Sequence, residues 1–225
     1  MSVIAWAWIR LAASTDTCAN DREISNMIRK TSADFHDPRT QNGDRTEVRV
    51  EAWVQDVLPF DETKREFEVF LYLSSLYRLP SLAFDSLNPC RSNITFGGEL
   101  FYTMWHPELS FINAYEAEIV EAPVPNVFVM VFPNGTVWLN YKLRIRAPCP
   151  KAKDNSRTCP LVLGSYRYSD EAIDLNWQEP NPVFPLKEIA VPGFSLKDIR
   201  TSKQQVLYPA GYWTELSAEF EFESD

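Results

Sequence analysis

The residues best equipped for chemistry in this 225-residue chain are aromatic. Tyr72, Tyr77, Trp105, Phe111, Tyr166, Tyr168, Tyr208, Tyr212 and Trp213 fall in turns or at strand ends. Two readings are open: some of these rings fill a core, and others line a cavity as a cage. The face of an aromatic ring is negative, so several rings around one space attract an ammonium ion at about 0.5–2 kcal/mol each. Catalytic patterns are missing. Gly164 precedes Ser165, but no G-x-S-x-G elbow surrounds it, and His36 and His106 stand far apart without a partner motif. No Gly-rich phosphate loop and no C-x-x-C spacing occur, so neither an enzyme, a cofactor nor a metal site is expected. The acids of 215–223 recur at every second position, the pattern of a solvated strand face.

The cysteines carry a second message. Cys149 and Cys159 close a short polar loop that runs straight into a strand-like segment, which reads as a disulfide-stapled turn at a sheet edge. Asn93-Ile94-Thr95 and Asn134-Gly135-Thr136 are glycosylation sequons, and together with the cysteines they favour a secreted setting. A net charge of −9 argues against nucleic-acid phosphate as a partner. The 7 Trp, 9 Tyr and 14 Phe within a 45% hydrophobic composition are enough for a sizeable core. Residues 1–15 are apolar with a small-residue end: either a signal-peptide remnant or an ordinary N-terminal extension. Residues 16–225 form the domain. No apolar run reaches the roughly 20 residues of a membrane span, so no membrane insertion by this chain is expected.

The elements that must position the aromatics follow from periodicity. Residues 20–32 predict a short helix, with Asn20 as N-cap, Glu23 completing a capping box and Ile24, Met27 and Ile28 on one face. Residues 33–45 read as a polar connection. From Thr46 the period becomes two, in Val48, Val50, Ala52 and Val54 and again in Phe67, Val69, Leu71 and Leu73. The run 127–132 meets 136–146 across Pro133-Asn134-Gly135, a strong hairpin signal. The last strand, 213–223, alternates Leu216, Ala218, Phe220 and Phe222 against Glu215, Ser217, Glu219, Glu221 and Glu223. One helix followed by eight to ten strands is an all-β sandwich.

The order of motifs resembles that of the extracellular domain of Cys-loop, or pentameric ligand-gated, receptors. Trp105-His106-Pro107-Glu108 followed by Phe111-Ile112-Asn113 resembles that family's W-x-P-D-x-x-F-x-N signature, with Glu108 in place of Asp. Leu76 to Phe84 resembles its W-x-D-x-R-L-x-W segment, with Tyr77, Leu79 and Ser81 as departures. Asn134-Gly135, the Cys149/Cys159 pair, Gly164-Ser165-Tyr166, Trp177, Pro192-Gly193-Phe194 and Tyr208 to Trp213 then fall in family order.

The resemblance implies a ten-strand immunoglobulin-like β-sandwich with a short N-terminal α-helix, assembled as a homo-pentamer with a small-molecule ligand between copies. One copy would supply Phe111 and Ile112, then Tyr166 and Tyr168, then Tyr208, Tyr212 and Trp213. Its neighbour would supply Tyr72 and Ser74 from one strand, and Trp138 and Asn140 from the hairpin after Asn134-Gly135. Strand period places Trp138 and Asn140 on one face, opposite Val137, Leu139 and Tyr141. The loop beginning at Asn88-Pro89 lies near the helix in that family, which implies a second disulfide, Cys18–Cys90. Vicinal cysteines are absent from 205–213, and Tyr166 stands where acetylcholine-binding subunits carry Trp. Both departures are more like the anion-channel branch, yet Tyr72, Leu73 and Ser74 leave no arginine on the facing strand. Arg144 and Arg146, further along the hairpin strand, are candidates for that role. The ligand expected is an amine.

Two contexts compete. The nine residues between Cys149 and Cys159 are polar apart from one proline and one alanine, whereas the channel loop carries an apolar centre that packs on a membrane domain. No basic run follows Phe222. The expectation is a soluble, secreted pentameric binding protein like the acetylcholine-binding proteins; the alternative is the ligand-binding part of a channel cut before its membrane helices.

Overall fold

Alternating apolar residues fix the longest pairings. The computed structural model describes residues 18–33, 44–151, 153 and 155–224, so the segment 1–15 lies outside the described residues. In β1 (Thr46–Val57) Val48, Val50 and Val54 are buried, and in β2 (Glu66–Arg78) Phe67, Val69, Leu71 and Leu73 are buried. The two pair antiparallel with Ala52 opposite Leu73 and Val54 opposite Leu71, which puts both apolar rows on one face. Short β3 (Ile94–Phe96), helix α2 (Gly98–Phe101), β4 (Leu109–Phe111) and β5 (Glu116–Ile119) follow. Then come β6 (Val127–Val131), β7 (Thr136–Pro148), β8 (Ser156–Ser165), β9 (Ile173–Trp177), β10 (Val183–Pro185), β11 (Ala190–Val191), β12 (Phe194–Tyr208) and β13 (Gly211–Ser224). Thirteen strands stand where ten were expected, and the surplus is in pieces of two or three residues such as β3, β10 and β11.

The strands form two sheets. The larger has the order β10-β1-β2-β7-β6-β3, with β9 also on β1 and β5 also on β7; the smaller runs β11-β12-β13-β8-β4. Val129, Leu139 and Ile145 of the first and Leu163, Leu216, Phe220 and Phe222 of the second are all buried between them. This is the all-β sandwich expected, with apolar faces packed inward and polar faces outward.

Helix α1 (Asp21–Ala33) caps one end and buries Ile24 and Ile28 completely. The Asn20 side-chain oxygen accepts from the backbone N–H of Arg22 and Glu23 at 3.0 and 3.1 Å, as the cap requires. Replacing Asn20 by alanine is expected to cost about 1 kcal/mol, read as a lowered urea midpoint with unchanged slope. The helix is also tied covalently. Cys18 and Cys90 are bonded, Ala19 bridges Pro89, and Arg91 pairs with Asp21 at 3.0 Å. At the opposite end Cys149 and Cys159 are bonded and buried.

Asn134-Gly135 turns β6 into β7, with Val131 opposite Val137. Gly135 has φ +80°, and the backbone of Leu79 crowds it: a Cβ there would lie 2.5 Å from the Leu79 carbonyl oxygen. The segment 93–104 divides into β3 and the single turn of α2, since Gly97-Gly98 interrupts the strand. Among the described residues no helix is long and apolar enough to cross a membrane, and no group of three or more His, Cys, Asp or Glu is placed to hold a metal ion.

Candidate functional site

Three neighbouring strands of the smaller sheet make a floor. Ser110 of β4 sits opposite Gly164 of β8, and Gly164 sits opposite Glu215 of β13. Above them lies a cavity of about 400 Å³ lined by Ser110, Phe111, Ile112, Gly164, Ser165, Tyr166, Tyr208, Trp213 and Thr214. The floor must be low at Gly164, because a Cβ there would meet Ile112 Cδ1 at 2.8 Å. The β12–β13 hairpin folds over the cavity, with Tyr208 paired to Gly211 at its tip. Tyr208 and Trp213 meet edge to face at 5.8 Å.

The Trp105–Glu108 segment holds the second wall. The Ser165 hydroxyl donates to the Pro107 carbonyl at 2.7 Å and accepts the Tyr168 N–H at 3.1 Å. The Tyr166 N–H donates to the Glu108 carbonyl at 2.9 Å, while the Glu108 side chain takes Arg167 at 3.0 Å. Tyr166 is thus anchored through its backbone, and the residue is 83% exposed.

Five of the seven residues expected on this face therefore come together: Phe111, Ile112, Tyr166, Tyr208 and Trp213. Tyr168 and Tyr212 do not line the cavity. Tyr168 packs on Trp105 at 5.6 Å, as part of the margin of the core, and Tyr212 is exposed on the hairpin.

One residue of the site escapes strand alternation. Glu215 was expected on the solvated face of the last strand, yet it is 7% exposed. It accepts the Tyr208 hydroxyl at 2.7 Å and the Gln204 side-chain amide at 2.9 Å. The hairpin folds its own side chains over this end of β13, so Thr214, Glu215 and Leu216 are buried in succession. The hydrogen bond to the Glu215 carboxylate, helped by burial, pushes the Tyr208 phenol above its ordinary value. Glu215 thus places a carboxylate behind Tyr208, and the residues that line the cavity include no lysine or arginine.

The residues expected on the complementary side share one face of the larger sheet. Tyr72 sits opposite Lys142, Ser74 opposite Asn140, and Leu76 opposite Trp138. Ser74 and Asn140 are 0% and 5% exposed, and the Asn140 amide donates to the Ser74 hydroxyl at 2.7 Å. This bond ties β2 to β7. Trp138 lies 5.5 Å from Phe128 and 6.3 Å from Trp53, so Tyr72 and Trp138 give this face an aromatic character. Arg144 is bound to Glu68, with its second contact at 3.1 Å, and Arg146 reaches Glu116 at 3.1 Å. The cation beside Tyr72 is instead Lys142, whose Nζ lies 5.7 Å from the ring centroid. The sequence held a signal for it: Lys142 is in phase with Trp138 and Asn140.

Residues 21–223 match the family described as the neurotransmitter-gated ion-channel ligand binding domain. The chain belongs to that family, and the fold and the loop-built cavity are those of a ligand-binding domain. It is 38% identical over 217 residues to the acetylcholine-gated chloride channel subunit acc-1 of Caenorhabditis elegans, covering 95% of this chain and 46% of that protein. It is 32% identical over 213 residues to the acetylcholine-gated chloride channel subunit acc-2 of the same organism, covering 92% and 48%. It is 33% identical over 183 residues to the serotonin-gated chloride channel mod-1, also from that organism, covering 80% and 37%. The chain spans about half the length, or less, of these curated relatives.

Proposed function

We propose that this domain holds a small ammonium ligand between neighbouring copies in a ring of five. The observation that carries the reading is the cavity walled by Phe111, Tyr166, Tyr208 and Trp213, with the buried Glu215 carboxylate bonded to Tyr208. Aromatic faces and a carboxylate both favour a cation, and a buried charge is screened less than a surface one. Tyr72 and Trp138 of the next copy would close the open side. The printed names of three relatives, gated by acetylcholine or serotonin, support an amine, and their chloride selectivity agrees with Tyr166 and the missing vicinal cysteines.

A thermal-shift panel tests this, since a ligand that binds only the folded state raises apparent stability. Acetylcholine, choline or serotonin is expected to raise Tm, while glutamate is expected to leave it in place. A shift with glutamate alone would overturn the amine reading. Replacing Glu215 by glutamine removes the charge while keeping hydrogen-bonding groups for Tyr208 and Gln204. The expected result is about a tenfold weaker affinity for the ammonium ligand in calorimetry.

The setting is supported from two sides. The exposed Pro150, Lys151, Lys153 and Asn155 of the disulfide loop suit a water-facing end, which favours a secreted, free-standing binding protein. The channel names of the relatives favour the ligand-binding part of a channel subunit. Reading the source transcript beyond the codon for Asp225 separates the two. Asn134 is exposed and Asn93 partly so, and in either setting both are proposed glycosylation sites, tested by the mass change on glycosidase treatment.

A further inference from the structure

We propose that a second cavity, adjoining the first across β4, binds an uncharged flat molecule that carries a hydrogen-bond acceptor. The cavity measures about 380 Å³ and shares Ser110 and Phe111 with the first. It opens between the sheets: β4 stands at the edge of the smaller sheet, while Ile119, Tyr141 and Leu143 come from β5 and β7 of the larger. Phe101, Phe111, Ile119 and Leu143 give it apolar walls. A flat ring has a ready partner there, because His106 already lies parallel to Phe101 at 4.6 Å with a 19° interplanar angle.

Two donors on these walls are unspent. The Glu108 N–H donates to His106 Nδ1 at 3.2 Å, which leaves the ring proton on Nε2. Among the described residues Nε2 has no acceptor. Burial lowers the His106 pKa, outweighing the opposing charge of Glu108, so the imidazole is neutral at pH 7. Tyr141 is 8% exposed, and among the described residues its hydroxyl has no hydrogen-bond partner. Burial pushes that phenol far up, so it remains a donor. Neither donor atom is sealed away from the cavity space, so each is open to a molecule that enters it. Two neutral donors on an apolar wall are therefore matched by an acceptor such as an amide or ketone oxygen. An ion gains less: its desolvation is costly, and Glu116 at the rim is already held by Arg146 at 3.1 Å.

Benzamide is the probe, followed by nitrogen-15 NMR of the histidine side chains in the 225-residue chain. The sequence holds two histidines, so His106 is assigned by the signal lost in His106→Gln. The expected result is a saturable shift of the His106 signal with benzamide. Tyr141→Phe, which keeps the ring, should weaken that binding about fivefold, the effect of one hydrogen bond. Tyr208→Ala should leave it unchanged, because Tyr208 lines only the first cavity. Benzoate and benzamidinium should bind more weakly than benzamide. An unmoved His106 signal, equal affinity in Tyr141→Phe, loss of the shift in Tyr208→Ala, or tighter binding of either ion would each overturn the proposal. The inference is independent of which ligand fills the first cavity.

Discussion

Replacing Tyr208 by alanine is expected to weaken ammonium-ligand binding about 30-fold, or roughly 2 kcal/mol, with little change in Tm. The substitution removes a ring from the cavity wall and the edge-to-face partner of Trp213. It also removes the donor that occupies one oxygen of Glu215, leaving Gln204 on the other. Little folding energy is at stake, because Tyr208 is 38% exposed at a hairpin tip and lies outside the core. Tyr208→Phe keeps the ring and loses only the hydrogen bond, so it should fall between wild type and alanine. Calorimetry with acetylcholine separates the three. If Tyr208→Ala and Tyr166→Ala both bound as wild type does, the cage would not exist.

The largest stability effect is expected at Gly135. Valine there should cost about 3 kcal/mol or more, seen as a large drop in the denaturation midpoint. A β-branched residue at φ +80° is strained whatever the space, and here there is no space either. The new Cβ would meet the Leu79 carbonyl, itself fixed because the Leu79 N–H donates to the Gly135 carbonyl at 2.9 Å and the side chain is buried. Gly135 joins the hairpin that carries Trp138 to the segment after β2 that carries Tyr72. Movement there would disturb the facing surface as well as the fold, so Gly135→Val should lose ligand binding along with stability.

Much of this fold is legible in the sequence because its rules are local. Period-two alternation marks β1, β2 and β7, Asn134-Gly135 marks the turn between β6 and β7, and Asn20 marks the start of α1. The Trp105–Glu108 and Gly164–Tyr166 motifs lead to the cavity because their family order carries three-dimensional information that periodicity lacks. The remaining parts of the site depend on what covers what. Alternation puts Glu215 in solvent; only the pairing of β12 beside β13, which sets Gln204 opposite Glu215 and brings the Tyr208 hydroxyl to it, surrounds the carboxylate. Tyr166 and Tyr168 look equivalent in sequence, yet one stands in the cavity wall and the other packs on Trp105. Ser74 and Asn140 look independent in sequence, and only their register, opposite each other, shows that they bond across the strands.

The central claim is that the site is shared between copies, with Tyr208 on one side and Tyr72 on the other. Co-expression of Tyr208→Ala with Tyr72→Ala tests it most directly, with acetylcholine binding measured on each variant alone and on the co-assembled protein. The prediction is weak binding by either variant alone and recovery of wild-type affinity at a fraction of the sites when the two assemble together, because some interfaces then pair an intact Tyr208 with an intact Tyr72. No recovery in co-assembled rings, or wild-type affinity in Tyr72→Ala alone, would contradict a shared site.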